Sequence, residues 1–278
     1  MISNEFFSVM SYHIARPSKK LAPFIKQFWS VHNCTDPGTH STMRIVPSGL
    51  PELTFYFGDE PKIQSPGKQY PGRSFFSGQQ QGFYDIEIPS NLHMFAITFQ
   101  PAALLPLCNL PANELLNNYI SLNDLLRNDA EVLEQKLYEA ADFEQRTQIT
   151  EKFIEKKLSE DHSDYAFARI EDSMQHIHSF RGRIGLDMLA SKACLSRKQY
   201  ERTFLKYVGI PPGQFLKIVR FQHAVYLRQK NFEKSFTSLA YECGYFDQAH
   251  MNNDFKQLTG LTPRHFFKDC DAYSDYFS

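Results

Sequence analysis

The chain has 278 residues, of which 42% are hydrophobic and 22% charged, with 30 Lys plus Arg against 31 Asp plus Glu and a formal net charge of -1. These figures suit a soluble globular protein with room for two domains, and they exclude a collagen-like or disordered chain. No run of 18 apolar residues occurs, so no membrane partner is expected.

Met1–Met10 has no basic stretch ahead of a long apolar run, so no secretory signal is read there. Cys34, Cys108, Cys194, Cys243 and Cys270 are scattered and form no CxxC pair. Free thiols in a reducing cytoplasm are the expectation.

Residues 1 to about 100 read as strands. Leu53–Phe57 is short and aromatic and ends at Gly58-Asp59; a second apolar run spans Leu92–Phe99. Between them Gly and Pro recur from Pro47 to Pro89. Short runs bounded by such residues predict an antiparallel β-barrel or sandwich. Phe55, Tyr56, Phe57, Phe75, Phe76, Phe83 and Tyr84 are available to build its core or line a cavity.

After Pro101 the texture becomes helical. Val132, Leu133, Leu137, Ala140, Phe153, Ile154 and Leu158 recur at helical spacing among many charges. They predict amphipathic helices that pack on the β-structure or on a second subunit. Leu158–Tyr165 is polar and marks a break.

From Asp164 the chain reads as almost all helix, and its charge changes. Residues 1–180 hold 15 basic and 22 acidic residues, whereas residues 181–268 hold 15 basic and 6 acidic. The last ten residues add three aspartates and no base. The predicted organisation is therefore a β-barrel with associated helices over 1–160, a basic helical domain over 164–268 and an acidic tail over 269–278. A strongly basic segment attracts polyanions.

Within that segment a pattern occurs twice. A short helix from Leu186 to Ala193 is followed by Ser196, which can cap a helix through Val208 that Gly209 stops. Pro211-Pro212 form a stiff turn, and a longer helix follows from Gln214 to about Arg228. A short helix then starts near Ser235 or Thr237 and ends at Cys243-Gly244. Asp247 can cap a helix that Gly260 stops, and Pro263 opens a closing helix. Ser196 to Phe204 and Asp247 to Phe255 give the same interval of eight residues.

A short helix, a tight turn and a second helix let the second helix present its outer face to the major groove of DNA. In the first unit that face carries Arg197, Lys198, Glu201, Arg202 and Lys206. The Arg202 fork suits guanine O6 and N7, and Glu201 can accept from cytosine N4. Arg197 and Lys206 suit phosphate. In the second unit Gln248, Ala249, His250, Asn252 and Asn253 face outward. Gln248 and Asn253 suit adenine edges and Ala249 a thymine methyl; His250 faces phosphate or water.

Leu239-Ala240 through Gly244-Tyr245, Asp247-Gln248, Phe255-Lys256, Gly260 and Pro263 closely resemble the AraC/XylS family of bacterial transcription regulators, over about residues 164–268. The resemblance implies a sequence-specific DNA-binding regulator, an activator that would engage RNA polymerase. It implies base reading by Lys198, Glu201 and Arg202 and by Gln248, Ala249, His250, Asn252 and Asn253, with Lys256 beside phosphate. Asn253 stands where members often carry a basic residue, and Ala193-Cys194 where they often carry glycine.

For the first half the resemblance implies a cupin-like β-barrel that senses a small molecule or makes a homodimer. The segment RIVPSGLPELTFYFGDEP is similar to the N-terminal domain of a subset of such regulators. Arg44, Tyr56, Tyr84 and His93 are the candidate effector-pocket residues. His32, His40 and His93 lack the HxH spacing with a following Glu that a metal-binding cupin would need, so no metal and no cofactor is expected. The competing readings are a first half that only dimerises, a β-barrel enzyme with a helical appendage, and a repair regulator with an alkyl-accepting cysteine. The enzyme reading lacks GxSxG, HExxH and a phosphate loop, and Cys34 and Cys108 are far apart for the third.

Overall fold

The computed structural model describes residues 11–34, 41–65, 67–159, 165–269 and 276–277. Met1–Met10, His40, Asp164, Cys270 and most of the acidic tail lie outside the described residues.

The first half contains β1 (Ser11–Ala15), β2 (Ile25–Cys34), β3 (Ser41–Ile45), β4 (Glu52–Tyr56), β5 (Lys62–Ile63), β6 (Ser74–Ser77), β7 (Tyr84–Ile88), β8 (Asn91–Phe99) and β9 (Tyr119–Ser121). It also contains α1 (Leu104–Cys108), α2 (Leu122–Leu126), α3 (Asn128–Glu139) and α4 (Phe143–Ser159), with a 3₁₀ turn at Ala112–Leu115. The strands form two sheets, β1-β2-β8-β4-β6-β9 and β3-β7-β5, with antiparallel pairings.

This corrects the expectation of a closed, cupin-like β-barrel. Both sheets are open. The edge strand β1 pairs with β2 and the edge strand β9 with β6, and among the described residues no strand ladder joins the two sheets. Closing the two sheets into one barrel would need two further rows of hydrogen bonds, since the edges are β1 and β9 of one sheet and β3 and β5 of the other. The fold solves the same burial problem by covering both faces of the larger sheet.

Along β8 the alternation is visible. Leu92, Met94 and Ala96 join Val31, Tyr56 and Phe75 in a core with Ile86 and Ile88 of the smaller sheet. Phe95, Ile97 and Phe99 point the other way, into a core completed by Leu122, Ala130, Leu133, Leu137 and Ile154 of the helices. A strand buried on both faces reads as one apolar run, which is why Leu92–Phe99 stands out in the sequence. Each fully buried Phe or Leu contributes about 1.5–3 kcal/mol. Val132, expected with the apolar face of α3, is exposed.

The second half is all helical: α5 (Tyr165–Ser179), α6 (Leu186–Lys192), α7 (Arg197–Val208), α8 (Pro212–Lys230), α9 (Phe236–Glu242), α10 (Gln248–Thr259) and α11 (Pro263–Asp269). α8 begins at Pro212, two residues before the predicted start. Proline at the first helical position sacrifices no intrahelical hydrogen bond, so Pro212 opens the helix instead of holding a turn before it. α8 buries Phe215, Leu216, Ile218, Val219, Phe221, Ala224 and Val225, and is the axis of the helical half.

The two halves share a core. Leu50, Ala102 and Leu105 pack with the buried residues of α5 to α11. Gln222 Nε2, buried on α8, donates to the Pro47 carbonyl at 2.8 Å. Gly49 has φ +80°, and a Cβ there would stand 3.3 Å from Phe215 Cε2. Tyr276 is buried in the same seam, where its carbonyl accepts from Lys26 Nζ at 3.2 Å and its ring meets Phe215 edge-on.

Candidate nucleic-acid interface

The first unit is α6, a four-residue turn that ends in the cap Ser196, and α7. Ser196 caps α7: its Oγ accepts from Gln199 N–H, and the Gln199 side chain accepts from Ser196 N–H. Such a capping box satisfies two otherwise orphaned donors. Gly209 closes the helix at φ +91°. Tyr200, Phe204, Tyr207 and Val208 are buried on the inner side. Lys198, Arg202 and Lys206 are exposed on the other.

Two of the predicted contacts are engaged within the protein. Arg197 pairs with Asp187 of α6 at 3.3 Å and with Glu201, one turn along, at 3.1 Å. All three side chains are well exposed, so the pairs are worth little in stability. They do orient Arg197 along the helix and occupy the Glu201 carboxylate that was expected to face cytosine.

The second unit is α9, its turn and α10. Asp247 accepts from His250 N–H at 2.7 Å and caps α10; Gly260 ends it at φ +75°. Met251, Phe255 and Leu258 are buried, while Gln248, Ala249, Asn253 and Lys256 are exposed. Asn252 is half-buried. His250 Nδ1 accepts from Phe246 N–H at 3.4 Å, and its ring meets Tyr245 edge-on. That ring therefore serves the turn as well as the outer surface. Gln248 Oε1 accepts from Thr237 Oγ1 at 3.0 Å, which ties α10 to α9.

A buried carboxylate sets the angle of α10. Asp254 is 4% exposed and faces Lys217 at 3.3 Å and Arg220 at 3.8 Å, both on α8. Removing one partner of such a pair strands a buried charge. α10 is thereby pinned to the central helix by charge as well as by the Phe221–Phe255 ring contact at 4.9 Å.

Both α7 and α10 end against the first half. The Gly209 Cα lies so near the 3₁₀ turn that a Cβ would stand 2.8 Å from the Ala112 carbonyl oxygen. At Gly260 a Cβ would stand 2.6 Å from Phe83 Cζ. Arg44 donates from Nη1 to the Thr259 carbonyl at 3.0 Å while its Nε and Nη2 hold Asp85 at 2.8 Å. This guanidinium holds the Asp85 carboxyl below its usual range and lies 4.3 Å over the Phe83 ring.

Arg44, Tyr56, Tyr84 and His93 do not converge. Arg44 faces the helical half, as described. Tyr56 and Tyr84 share the space between the sheets with Tyr70 and Tyr119. Burial pushes the hydroxyls of all four up, so they are neutral at ordinary pH. His93 lies on the opposite face of the larger sheet, 3.1 Å from Arg146 Nη1; burial and that guanidinium lower its pKa.

A feature missed in the sequence is a cavity of about 590 Å³ between the halves, lined by residues that include Lys19, Lys26, Leu50, Phe167, His178 and Tyr276. Its walls come from five separate stretches of chain, so no local pattern announces it. Among the described residues no group of three or more His, Cys, Asp or Glu is placed to hold a metal ion, and no helix is long and apolar enough to cross a membrane.

Residues 189–269 match the family model of a helix-turn-helix domain, and residues 13–121 match that of a domain of unknown function, DUF6597. The chain is 35% identical over 83 residues to an uncharacterized HTH-type transcriptional regulator of Haemophilus influenzae, covering 30% of this chain and 28% of that protein. It is 30% identical over 78 residues to the HTH-type transcriptional regulator ArgR of Pseudomonas aeruginosa, covering 28% of this chain and 23% of that one. With the HTH-type transcriptional activator RhaS of Escherichia coli it shares 27% identity over 94 residues, 34% of each chain. These stretches span between about a quarter and a third of the relatives' own length. All three relatives are transcriptional regulators by name. Among solved structures, ToxT from Vibrio cholerae O395 is similar over 95% of this chain and 100% of that one, at 15% identity and a TM-score of 0.42.

Proposed function

We propose that this protein is a transcription regulator that reads duplex DNA with two helix-turn-helix units carried on one rigid helix, and that its first half modulates the reading. The observation that carries the proposal is the pairing of α7 and α10. Each is capped, each is packed against α8 on its inner side, and each exposes polar side chains on its outer side. The match of residues 189–269 to a helix-turn-helix domain supports it.

In the first unit Lys198 and Arg202 read bases and Lys206 holds phosphate, with Arg197 and Glu201 acting as a pair. In the second, Gln248, Ala249, Asn252 and Asn253 read bases, His250 supports the turn, and Lys256 holds phosphate. Recognition helices on one duplex face lie about 34 Å apart, one turn of DNA. Two weak readers joined rigidly raise each other's local concentration.

Modulation by the first half has a physical route. Both reading helices end on it, at Ala112 and at Arg44 with Phe83. A small molecule or a second subunit that shifts the first half would therefore shift both helix ends. Activation would bring RNA polymerase as a further partner. Binding-site selection from a random duplex pool tests the reading. Enrichment of two short segments about one turn apart is expected, and failure to enrich any sequence at low salt would overturn it.

A further inference from the structure

The two units differ by one residue at the turn. Their backbones match up to that point: Leu195 N–H donates to the Ala190 carbonyl and Tyr245 N–H to the Ala240 carbonyl, both at 3.0 Å. Cys194 and Gly244 occupy the same left-handed place, at φ +53° and +77°. In the first unit the residue after Leu195 is the cap, Ser196. In the second, Phe246 intervenes before the cap, Asp247.

Phe246 is 84% exposed, the most exposed of the large apolar side chains among the described residues. It does not serve the core, which Tyr245 beside it fills at 3% exposure. Its backbone is nonetheless pinned. Phe246 N–H donates to His250 Nδ1, and the next residue caps α10. The ring therefore projects from a fixed point at the N-terminal end of the reading helix, next to Gln248 and Ala249.

The chemistry beside it fits. The outer face of α7 carries Arg197, Lys198 and Arg202, whereas no Lys or Arg occurs from Phe246 to Phe255. The second unit offers amides, a methyl and an aromatic ring. In the major groove the one apolar group on a base edge is the thymine 5-methyl. We infer that Phe246 contacts DNA, packing its ring on a thymine methyl at the edge of the segment that α10 enters. The inference rests on the proposed DNA reading and adds a residue and a base preference to it.

The test uses the full chain and the duplex it selects. Thymines are replaced by uracil one at a time, and binding is measured for the natural protein, Phe246→Leu and Phe246→Ala. One uracil within the second segment is expected to weaken the natural protein about fourfold, the worth of one buried methyl. The same uracil leaves Phe246→Ala unaffected, Phe246→Leu falls between, and the slope of log affinity against log salt is unchanged, because no phosphate contact is lost. If no thymine in that segment is sensitive in the natural protein, or if Phe246→Ala keeps the thymine preference, the inference is wrong while the DNA reading stands. If the natural protein selects no duplex, the DNA reading itself fails. Ala249 lies in the same segment, so a thymine that stays equally sensitive in Phe246→Ala belongs to Ala249; Phe246→Leu, apolar at the same exposed position, carries the comparison if Phe246→Ala folds poorly.

Discussion

The two helix-turn-helix units share a frame and differ in surface chemistry. In both, a small left-handed turn feeds a capped helix, a phenylalanine eight residues after the cap reaches the core, and a left-handed glycine ends the helix. The first unit then exposes Lys198, Arg202 and Lys206. The second exposes Gln248, Ala249 and Asn253, with Lys256 at its end. Duplication of the frame is what packing demands; divergence of the outer face is what reading two different DNA segments would demand. The first unit would supply most of the salt-sensitive affinity, and the second would discriminate with less charge.

The shared frame predicts the largest effects. Phe204 and Phe255 are fully buried, and replacing either with Ala should cost about 3–5 kcal/mol of unfolding free energy in urea titrations. Similar losses in the two units would support a common frame, and a negligible loss at Phe255 would break it.

The joint between the units is expected to lose stability as the pH falls. His223 is buried on α8, and neither ring nitrogen has a hydrogen-bond partner among the described residues. Burial, with Arg181 and Arg183 nearby, pushes its imidazole down from 6.5 to about 4. The folded state thus binds fewer protons than the unfolded one. Its contribution is complete above about pH 6.5, declines as the pH falls, and is spent below about 4. The total is about 3 kcal/mol. In His223→Gln, urea stability between pH 7.5 and 4.5 should fall less steeply than in the natural protein; an equal slope would remove His223 from this role.

Effects confined to one unit come next. Arg202→Ala should lower discrimination at one or two base pairs of the first segment by about 1–3 kcal/mol and leave the second segment untouched. Blurring of both segments would mean that the units do not read independently. The smallest effects separate charge from shape. Lys206→Ala should flatten the salt dependence by about 0.9 in slope, and Lys256→Ala should flatten it by a similar amount.

The helical half was legible because its signals are local. Ser196 and Asp247 as caps, Gly209 and Gly260 as stops, and Phe204 and Phe255 at matched spacing all act within a turn or two of helix. The start of α8 was misplaced because Pro212 serves equally as a turn residue and as a helix opener. In the first half strands were legible as short apolar runs, Leu53–Phe57 and Leu92–Phe99, but barrel closure depends on which edge strands meet, and nothing in β1 or β9 encodes that. The contacts of Arg44 were equally hidden. A lone arginine in a strand says nothing about Thr259, 215 residues away. His250 stands among the base readers only by the family resemblance, and the hydrogen bond that its Nδ1 accepts from Phe246 N–H has no local signal in the sequence.

Site selection with the natural protein, Arg202→Ala and Asn253→Ala in parallel tests the central idea most directly. Two enriched segments about one turn of DNA apart, with Arg202→Ala erasing preference in one and Asn253→Ala in the other, is the predicted result. A single segment weakened by both variants, or no enriched sequence at all, would contradict it.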